Sequence, residues 1–461
     1  MKLNIANKNL VSNSIAFFCI SVIAIIGIWI RVMWIYECNR GYHWLPDEYY
    51  YFVSTAENAF NGKGFFPGFN DDFEMSQGGV LVPPPMQAFF IFIIYKIAGS
   101  IINPIIPRLV QAFLGGIMIL AGAAMGFLLN LPLAGIIIAL FFAIYPEFIF
   151  HAEILQTESN YLVGLSILIA LLICWAKTGR TRWAWASAIL IGCLTLQRSL
   201  SLLLPFVIAA LSLYIAKGRQ KLFHTLIFLL VPYCVISPWF ARNLAIYGEP
   251  ILVGSLDGIA FYAANNIKLD PLKTPYVFFE ILKNPDYNIY VPSIEKKYRK
   301  NDGKKFITNN EGTLMVSWYQ YSEAYKIEAF NYIRKHPIHF LKNLLFKTWN
   351  QFWLVQDLPK KAVRFFDDRK KFLFLHRILL LGGGLGFLIL FSQARRKEYL
   401  LIIVMFTYFS VILSLNTLDP SGRYNIYLKL FLIIFFSCGC NIILLKYALK
   451  TALSKYDEFH A

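Results

Sequence analysis

Long blocks of apolar residues alternate with short polar segments along the whole chain. A helix that crosses the hydrocarbon core of a bilayer needs about 20 mostly apolar residues. The pattern therefore predicts an all-α polytopic membrane helix bundle with about ten spans. The predicted spans are 14–36, 108–129, 131–150, 159–176, 183–198, 200–216, 222–245, 372–394, 398–416 and 424–447.

The composition supports this class of protein. Of the 461 residues, 57% are hydrophobic and only 15% are charged, whereas a soluble domain carries about 25% charged residues. This excludes a soluble enzyme, a disordered scaffold and a disulfide-stapled secreted domain. If the protein were soluble, its net charge of +17 would suggest that it binds nucleic acid. In a membrane protein, basic residues fix the topology and meet anionic lipid headgroups, so we expect membrane lipids and no nucleic acid as partners.

Short loops rich in Lys and Arg stay in the cytoplasm. Three such loops, at 177–182, 217–221 and 395–397, fall on the same side as both termini only if the apolar block 86–104 does not cross the membrane. We therefore predict that 86–104 is a re-entrant or surface-lying helix on the outer face. Both termini are then inside, in a multi-pass protein of the cell (inner or plasma) membrane.

This topology divides the chain into three parts. An N-terminal transmembrane module, 1–245, contains an acidic first outer loop within 37–107. A second outer loop covers 246–371, and the remaining transmembrane helices lie in 372–461.

The second outer loop contains two segments with helical apolar spacing, 317–335 and 338–356. The latter carries Trp349 and Trp353 together with lysines such as Lys347. Aromatic residues next to lysines are typical of a helix that lies in the membrane interface, so we predict that 338–356 is an interfacial helix rather than a span.

Two adjacent carboxylates, Asp47 and Glu48, follow the first predicted span, directly after the turn residue Pro46. Carboxylates are favoured in the first turn of a helix, so one interpretation is a helix cap. The other is a general base, which needs a carboxylate within reach of an acceptor hydroxyl. The residues alone leave both interpretations open.

A third carboxylate, Glu158, begins the fourth predicted span, with Glu153 five residues earlier. It is either another helix cap or a second carboxylate facing Asp47, where it would orient an acceptor or bind a divalent cation. His43 and His151 could join a metal site. A single interfacial histidine, however, is more often a hydrogen-bonded structural residue.

Three arginines, Arg198, Arg242 and Arg423, lie at the outer ends of predicted spans. They could extend to lipid headgroups, or they could form a cluster of planar, bidentate donors for a phosphate or pyrophosphate. Because basic anchors favour the inner side of the membrane, three outer arginines favour the phosphate site.

Six sequence elements occur in an order and spacing that match a known family. They are PDEYYYFVSTAENAFNGKGF, LVPPPMQAFFIFIIYKIAG followed by Arg108, YPEFIFHAEILQTESNYLVGL, LTLQRSLSLLLP, SPWFARNLAIYGEPILVGSLDGIAFYAANN and DPSGRYNIYLKLF. Through these elements the chain resembles the GT-C membrane glycosyltransferases. The resemblance is to the branch that contains protein O-mannosyltransferases and the aminoarabinose transferases of lipid A.

The resemblance implies a GT-C type bundle with outer juxtamembrane helices over a lipid-facing cavity, and a catalytic N-terminal module. It implies a polyprenyl-phosphate-linked sugar donor and a catalytic base that maps onto Asp47, with Glu48 beside it. The family's acidic residue before the fourth span maps onto Glu158. The family's contacts to the donor phosphate map onto the three arginines.

The expected activity is therefore an inverting transfer of a hexosyl or pentosyl group on the extracytoplasmic side of the membrane. The chain lacks the inserted sugar-binding domain of protein O-mannosyltransferases, so a glycan or lipid acceptor is favoured over a protein. It also lacks the WWDYG-type stretch of oligosaccharyltransferases. It has no plain metal-ligand set, so we expect no required cofactor, with a divalent cation as the alternative. A transporter or flippase, a polymerase or ligase for a lipid-linked glycan, and a non-catalytic assembly protein stay open as rival functions.

Overall fold

The computed structural model describes residues 2–38, 48–66, 82–255, 257–265, 307–308, 314–315, 317–356, 369–416 and 423–460. Almost all of these residues are helical. The predicted class, an all-α polytopic membrane bundle, is confirmed.

The first part of the chain supplies ten α-helices in its described residues, together with a π-helical turn at Tyr49–Val53 and a 3-10 turn at Ser199–Ser201. The helices are α1 (Lys2–Glu37), α2 (Ser54–Phe60), α3 (Pro85–Ala98), α4 (Ile105–Leu128), α5 (Pro132–Ile144), α6 (Pro146–Glu153), α7 (Thr157–Thr178), α8 (Thr181–Gln197), α9 (Leu204–Ile215) and α10 (Gln220–Tyr247).

The described residues of the second part add six helices, a 3-10 turn at Arg423–Asn425 and two short strands. The strands β1 (Ile307–Thr308) and β2 (Leu314–Met315) pair antiparallel. The helices are α11 (Asp257–Ala264), α12 (Ser317–Lys335), α13 (Pro337–Trp353), α14 (Arg369–Ser392), α15 (Lys397–Asn416) and α16 (Ile426–His460).

Within the described residues, seven helices have the length and apolar composition of a membrane span, and the bent pair α5 and α6 makes an eighth if it counts as one span. The chain is thus a multi-pass membrane protein. The predicted spans 183–198 and 200–216 form the shorter helices α8 and α9, of 17 and 12 residues. The seven spans are Ser14–Glu37, Ile105–Leu128, Thr157–Thr178, Gln220–Tyr247, Lys370–Ser392, Lys397–Leu415 and Ile426–Tyr447.

The ambiguous block 86–104 forms α3, a helix of 14 residues that ends at Gly99 with a left-handed φ of +72°. At 1.5 Å per residue it is about 21 Å long, short of the roughly 30 Å of a hydrocarbon core. It packs against α2 and α8. Its length agrees with the predicted non-spanning helix, and its place on the outer face stays a prediction.

Helix α4 packs along α1, α5 and α7. Small residues permit the closest approaches, as is usual between membrane helices. A Cβ atom on Gly126 of α4 would lie 2.1 Å from the backbone nitrogen of Gly135 in α5. In the second half, a Cβ on Gly386 of α14 would lie 2.0 Å from the carbonyl oxygen of Phe435 in α16. These pairs fix how the helices stack into one apolar core.

The segments of the second outer loop that were predicted to be helical, 317–335 and 338–356, form α12 and α13. One face of α13 is held by the protein, because buried Lys347 donates a hydrogen bond of 2.6 Å to the carbonyl of Ala264 at the end of α11. The opposite face is apolar and exposed, as an interfacial helix requires. Its exposed residues include Ile338, Leu341, Leu345, Trp349 and Trp353. Its contact with lipid stays a prediction.

Arg31 is fully buried in α1 and stabilises the bend of 49° between α5 and α6. Pro146 has no N–H, so the carbonyl of Phe142, four residues earlier, loses its helical donor. The Arg31 guanidinium supplies that donor at 2.7 Å and also donates to the carbonyl of Ala143 at 3.2 Å. Gly115 provides the space for this side chain, since a Cβ atom at position 115 would lie 2.6 Å from Nε of Arg31.

We expect Arg31→Leu to lower the stability of the protein by about 2–4 kcal/mol, because the buried carbonyls lose their hydrogen-bond donors. Thermal unfolding of the purified protein in detergent measures the effect. Ile25→Leu, at an exposed position of the same helix, is the control and should leave the melting temperature unchanged. Equal melting of the two variants would show that Arg31 does not hold the bend.

Candidate functional site

The break between α6 and α7 is the structural centre of the candidate site. The Glu48 carboxylate accepts a hydrogen bond of 2.7 Å from the backbone N–H of Leu155 within this break. The same carboxylate pairs with the guanidinium of Arg108 at 2.6 Å, and both side chains are fully buried. The chain segment that follows Asp47 is thereby joined to the segment that precedes Glu158.

Side chains of α4 hold the backbone of the break. Nε of Arg108 donates to the carbonyl of Glu153 at 2.7 Å. Nε2 of Gln111 lies within 2.8–3.1 Å of the carbonyls of His151, Ala152 and Ile154. These carbonyls would otherwise be orphaned at the end of α6, where buried backbone groups need partners. The donors therefore fix the position at which α7 begins.

Glu158, in the first turn of α7, is buried and pairs with Arg198 at 3.0 Å. Arg198 follows the last residue of α8, and its Nη1 donates to the Tyr427 hydroxyl at 2.7 Å. The guanidinium also lies over the ring of Tyr424, 4.4 Å from the ring centroid. These contacts hold the guanidinium in one orientation. Because the side chain is 15% exposed, part of it stays accessible.

Uncharged polar side chains surround the Glu158–Arg198 pair. Oε1 of Gln87 in α3 accepts hydrogen bonds from the amides of Asn160 at 3.0 Å and Gln197 at 2.8 Å. The Ser199 hydroxyl donates to Asp257 of α11 at 2.9 Å. Helices α3 and α11 are thus fastened to the ends of α7 and α8 that carry the ion pair.

A π-helical turn, Tyr49–Val53, directly follows Glu48. Such turns are frequent at functional sites. The hydroxyl of Tyr49 donates to the carboxylate of Glu57 at 3.3 Å. Partial burial raises the pKa of Glu57, and the hydrogen bond from Tyr49 opposes that rise.

The structure brings some of the predicted site residues together and leaves others apart. Glu158 and Arg198 are in contact. Arg423 begins a 3-10 turn, and the next residue, Tyr424, stacks on Arg198. The side chain of Arg423 lies outside the described part of the structure. Asp47 also lies outside the described residues.

Arg242 belongs to a separate set of contacts. It donates to the carbonyl of Phe65, and its guanidinium lies over the rings of Phe66 and Trp239 at 4.8 and 4.6 Å from their centroids. These contacts fasten α10 to the segment after α2. Its contact with a donor phosphate stays a prediction.

Sequence reasoning gave no role to the residues that hold the break, Arg108 and Gln111. It also gave none to Gln87 and Asp257 or to the tyrosines that face Arg198. A usable signal exists for Arg108 and Gln111, because polar side chains inside apolar blocks are costly and mark functional or internally paired positions.

The described residues contain no group of three or more metal-ligating side chains in range of one another. The expectation that no metal or cofactor is required stays a prediction.

No protein-family model and no curated protein sequence matches the chain. Solved structures do match its fold. The oligosaccharyltransferase of Archaeoglobus fulgidus with Zn and sulfate matches at a TM-score of 0.53 and 12% identity, over 96% of this chain and 51% of that chain. The oligosaccharyltransferase AglB of the same organism, with an inhibitory peptide and a dolichol-phosphate, matches at 0.55 and 13%, over 96% and 52%.

These matches show the fold of the chain, and the GT-C type stays a prediction. The particular protein they match is the archaeal oligosaccharyltransferase, of which this chain spans about half the length. At such low identity the likeness concerns the fold alone. The protein O-mannosyltransferase or aminoarabinose transferase type stays a prediction.

Proposed function

We propose that this protein is an inverting glycosyltransferase that moves a sugar from a polyprenyl-phosphate donor to a glycan or lipid acceptor at the outer face of the membrane. One observation carries the proposal. Glu48 contacts Leu155, and Glu158, three residues further along the chain, contacts Arg198. Arg198 in turn contacts Tyr424 and Tyr427, and these contacts together form one junction. This junction joins the chain segments that carry the predicted base and two of the predicted phosphate ligands.

Asp47 takes the proton of the acceptor hydroxyl in this proposal. The hydroxyl oxygen then attacks the anomeric carbon from the side opposite the phosphate, and a new bond forms from that oxygen to the carbon. The bond between the anomeric carbon and the phosphate oxygen breaks, and polyprenyl phosphate leaves with the electron pair. Attack from the opposite face inverts the anomeric configuration. Because both oxygens of Glu48 face Arg108 or Leu155, we assign the base to Asp47 alone.

Negative charge builds on the departing phosphate, and Arg198 and Arg423 are the groups that stabilise it. A guanidinium that is already oriented stabilises this charge without reorganising during the reaction. Glu158, Tyr424 and Tyr427 orient Arg198 in this way. Glu158 is thus the positioning partner of Arg198, with a direct contact to the acceptor as its alternative role.

Two properties of the structural neighbours support this proposal. One archaeal oligosaccharyltransferase structure holds a dolichol-phosphate. Another is tethered to an acceptor peptide. A lipid phosphate and an acceptor thus both bind proteins with this fold. The sugar, the lipid and the acceptor of the present chain are our proposal.

Purified protein in lipid nanodiscs tests the function directly. It is mixed with a polyprenyl-phosphate hexose or pentose and a panel of glycan and lipid acceptors, and products are followed by mass spectrometry. We expect one donor and acceptor pair to give a product that is one sugar heavier. NMR of this product should show that the anomeric configuration is inverted. A product of retained configuration would contradict the single displacement, and no transfer across the panel would remove the activity.

The predicted sidedness is a separate expectation. An epitope tag inserted at Gly64, after α2, should be reached by antibody from the outer side of intact cells or spheroplasts. A tag at Gly179, in the turn between α7 and α8, should be reached only after permeabilisation, because basic loops stay inside. The reverse pattern would place the site on the cytoplasmic side.

A transporter or flippase for a lipid-linked glycan is the second candidate. It is favoured by the ionisable residues Arg31, Glu147 and Lys429, which are buried in or beside helices of membrane-spanning length, since such residues often mark transport pathways. Proteoliposomes with a fluorescent polyprenyl-phosphate sugar separate the two functions. Flipping without sugar transfer would support the transporter, and transfer without flipping would support the enzyme.

A further inference from the structure

A second buried polar cluster lies on α6, at the end opposite the break that carries the candidate site. The Glu147 carboxylate, in the first turn of α6, accepts hydrogen bonds from Nζ of Lys429 in α16 through both of its oxygens. The two side chains are 0% and 2% exposed. Removing two charges from water costs several kcal/mol per ion, and a well-packed apolar pair is often as stable. A link between α6 and α16 therefore does not by itself explain why this pair is charged.

Glu147 has another partner that points to a further role. Its Oε1 accepts a hydrogen bond of 3.1 Å from the backbone N–H of Gln356. The side chain of Gln356 meets Nε2 of His151 at 2.9 Å. Glu147 and His151 are four residues apart on α6 and so share one face of the helix. One face of α6 thus holds both the backbone and the side chain of Gln356.

The end of α13 is fastened to the bundle beside Gln356. The carbonyl of Phe352 lies 2.9 Å from Nε2 of His376 in α14. Nδ1 of His376 lies 3.2 Å from the hydroxyl of Tyr145, the residue that precedes α6. The segment 352–356 is therefore held at two points, and both lead back to α6.

Helix α6 is only eight residues long, and its other end is the break that Arg108, Gln111 and Glu48 hold. The position of 352–356 and the start of α7, with Glu158, are thus set by opposite ends of one short helix. A rigid helix of this length transmits a displacement of one end to the other.

We propose that Glu147, His151 and Lys429 are positioning residues that anchor residues 352–356, at and just after the end of α13, against the helix leading into the candidate site. The lysine orients the Glu147 carboxylate, and the carboxylate accepts a hydrogen bond from the backbone N–H of Gln356. For its effect on sugar transfer this inference rests on the proposed function, whereas the anchor itself can be measured without activity.

The charge-reversed double variant Glu147→Lys with Lys429→Glu separates an anchor from a simple ion pair. The reversed pair restores the attraction between α6 and α16. A lysine at position 147, however, cannot accept the N–H of Gln356. A second variant, Gln356→Pro, removes that N–H and the side-chain amide while leaving the buried pair intact. The matched control reverses the Glu323–Lys326 pair of α12, which is partly exposed.

Amide hydrogen exchange, followed by mass spectrometry of peptides covering 350–356, is the primary readout. We expect exchange at least about tenfold faster in both test variants and unchanged exchange in the control. The double variant should melt closer to the wild type than either single charge reversal does. In active protein we expect a raised KM for the lipid-linked donor with kcat changed less than threefold.

Wild-type exchange rates at 350–356 in both test variants would overturn the anchor, as would a charge-reversed protein that matches the wild type in exchange and melting. A fall in kcat with KM unchanged would also overturn the positioning role. If wild-type protein transfers no sugar, the proposed function fails, and the exchange measurement still decides the anchor.

Discussion

Replacing Asp47 by asparagine should lower the rate of sugar transfer by about 10²–10⁴-fold, the usual contribution of a general base. Asparagine has nearly the same shape as aspartate but cannot accept the proton of the acceptor hydroxyl. Donor binding does not need that proton transfer, so the Kd for the lipid-linked donor should be unchanged. Single-turnover transfer and donor titration in nanodiscs measure the two quantities.

Two further variants make this expectation specific. Asp72→Asn changes a carboxylate in the same long loop and should transfer sugar at the wild-type rate. Glu48→Gln should act differently, because it removes one charge of a buried pair with Arg108. We expect it to lower stability by about 3–5 kcal/mol, whereas Asp47→Asn should melt with the wild type. Transfer by Asp47→Asn at the wild-type rate would show that the base lies elsewhere in the protein.

The helical architecture could be predicted from the sequence because its cause is local. A block of about 20 apolar residues has few alternatives in a bilayer, where every backbone group must be bonded within the segment. The basic short loops predicted that 86–104 does not cross, and α3, with 14 residues, is indeed short. The bend at Pro146 could also have been predicted from the missing N–H of proline. The hydrogen bond from Arg31 to the carbonyl that lacks a helical donor could not have been predicted, because this contact depends on how α1 packs beside α5.

The candidate site shows the same division between local and long-range causes. Glu158 and Arg198 were each recognised as candidate site residues at the ends of apolar blocks, yet a direct ion pair between them was not predicted. They are forty residues apart, and they meet only because α7 and α8 pack antiparallel with these two ends side by side. The amides of Gln87 and Gln197 were overlooked because an uncharged side chain in an apolar block gives a weak signal. Asp257 was overlooked because its partner, Ser199, lies on another helix end.

The pairing of Glu158 with Arg198 leads to the second large expected effect. Arg198→Gln should weaken binding of the lipid-linked donor by about 10–100-fold, since a hydrogen bond to a charged group is worth about 1.5–3 kcal/mol. Glu158→Gln should weaken it less, because the guanidinium keeps its charge and its contacts with Tyr424 and Tyr427. Arg182→Gln, at the opposite end of α8, is the control and should bind donor as the wild type does.

The double variant decides how Glu158 acts. If Glu158 serves only to orient Arg198, removing it has no further effect once Arg198 is gone, and the double variant binds donor no more weakly than Arg198→Gln alone. If the two losses multiply, Glu158 contacts a ligand by itself, and acceptor titrations show whether that ligand is the acceptor. Residues that share a partner couple in this way, whereas independent residues give additive free energies. Unchanged donor affinity in Arg198→Gln would remove this arginine from the phosphate site and leave Arg423 and Arg242 as the remaining candidates.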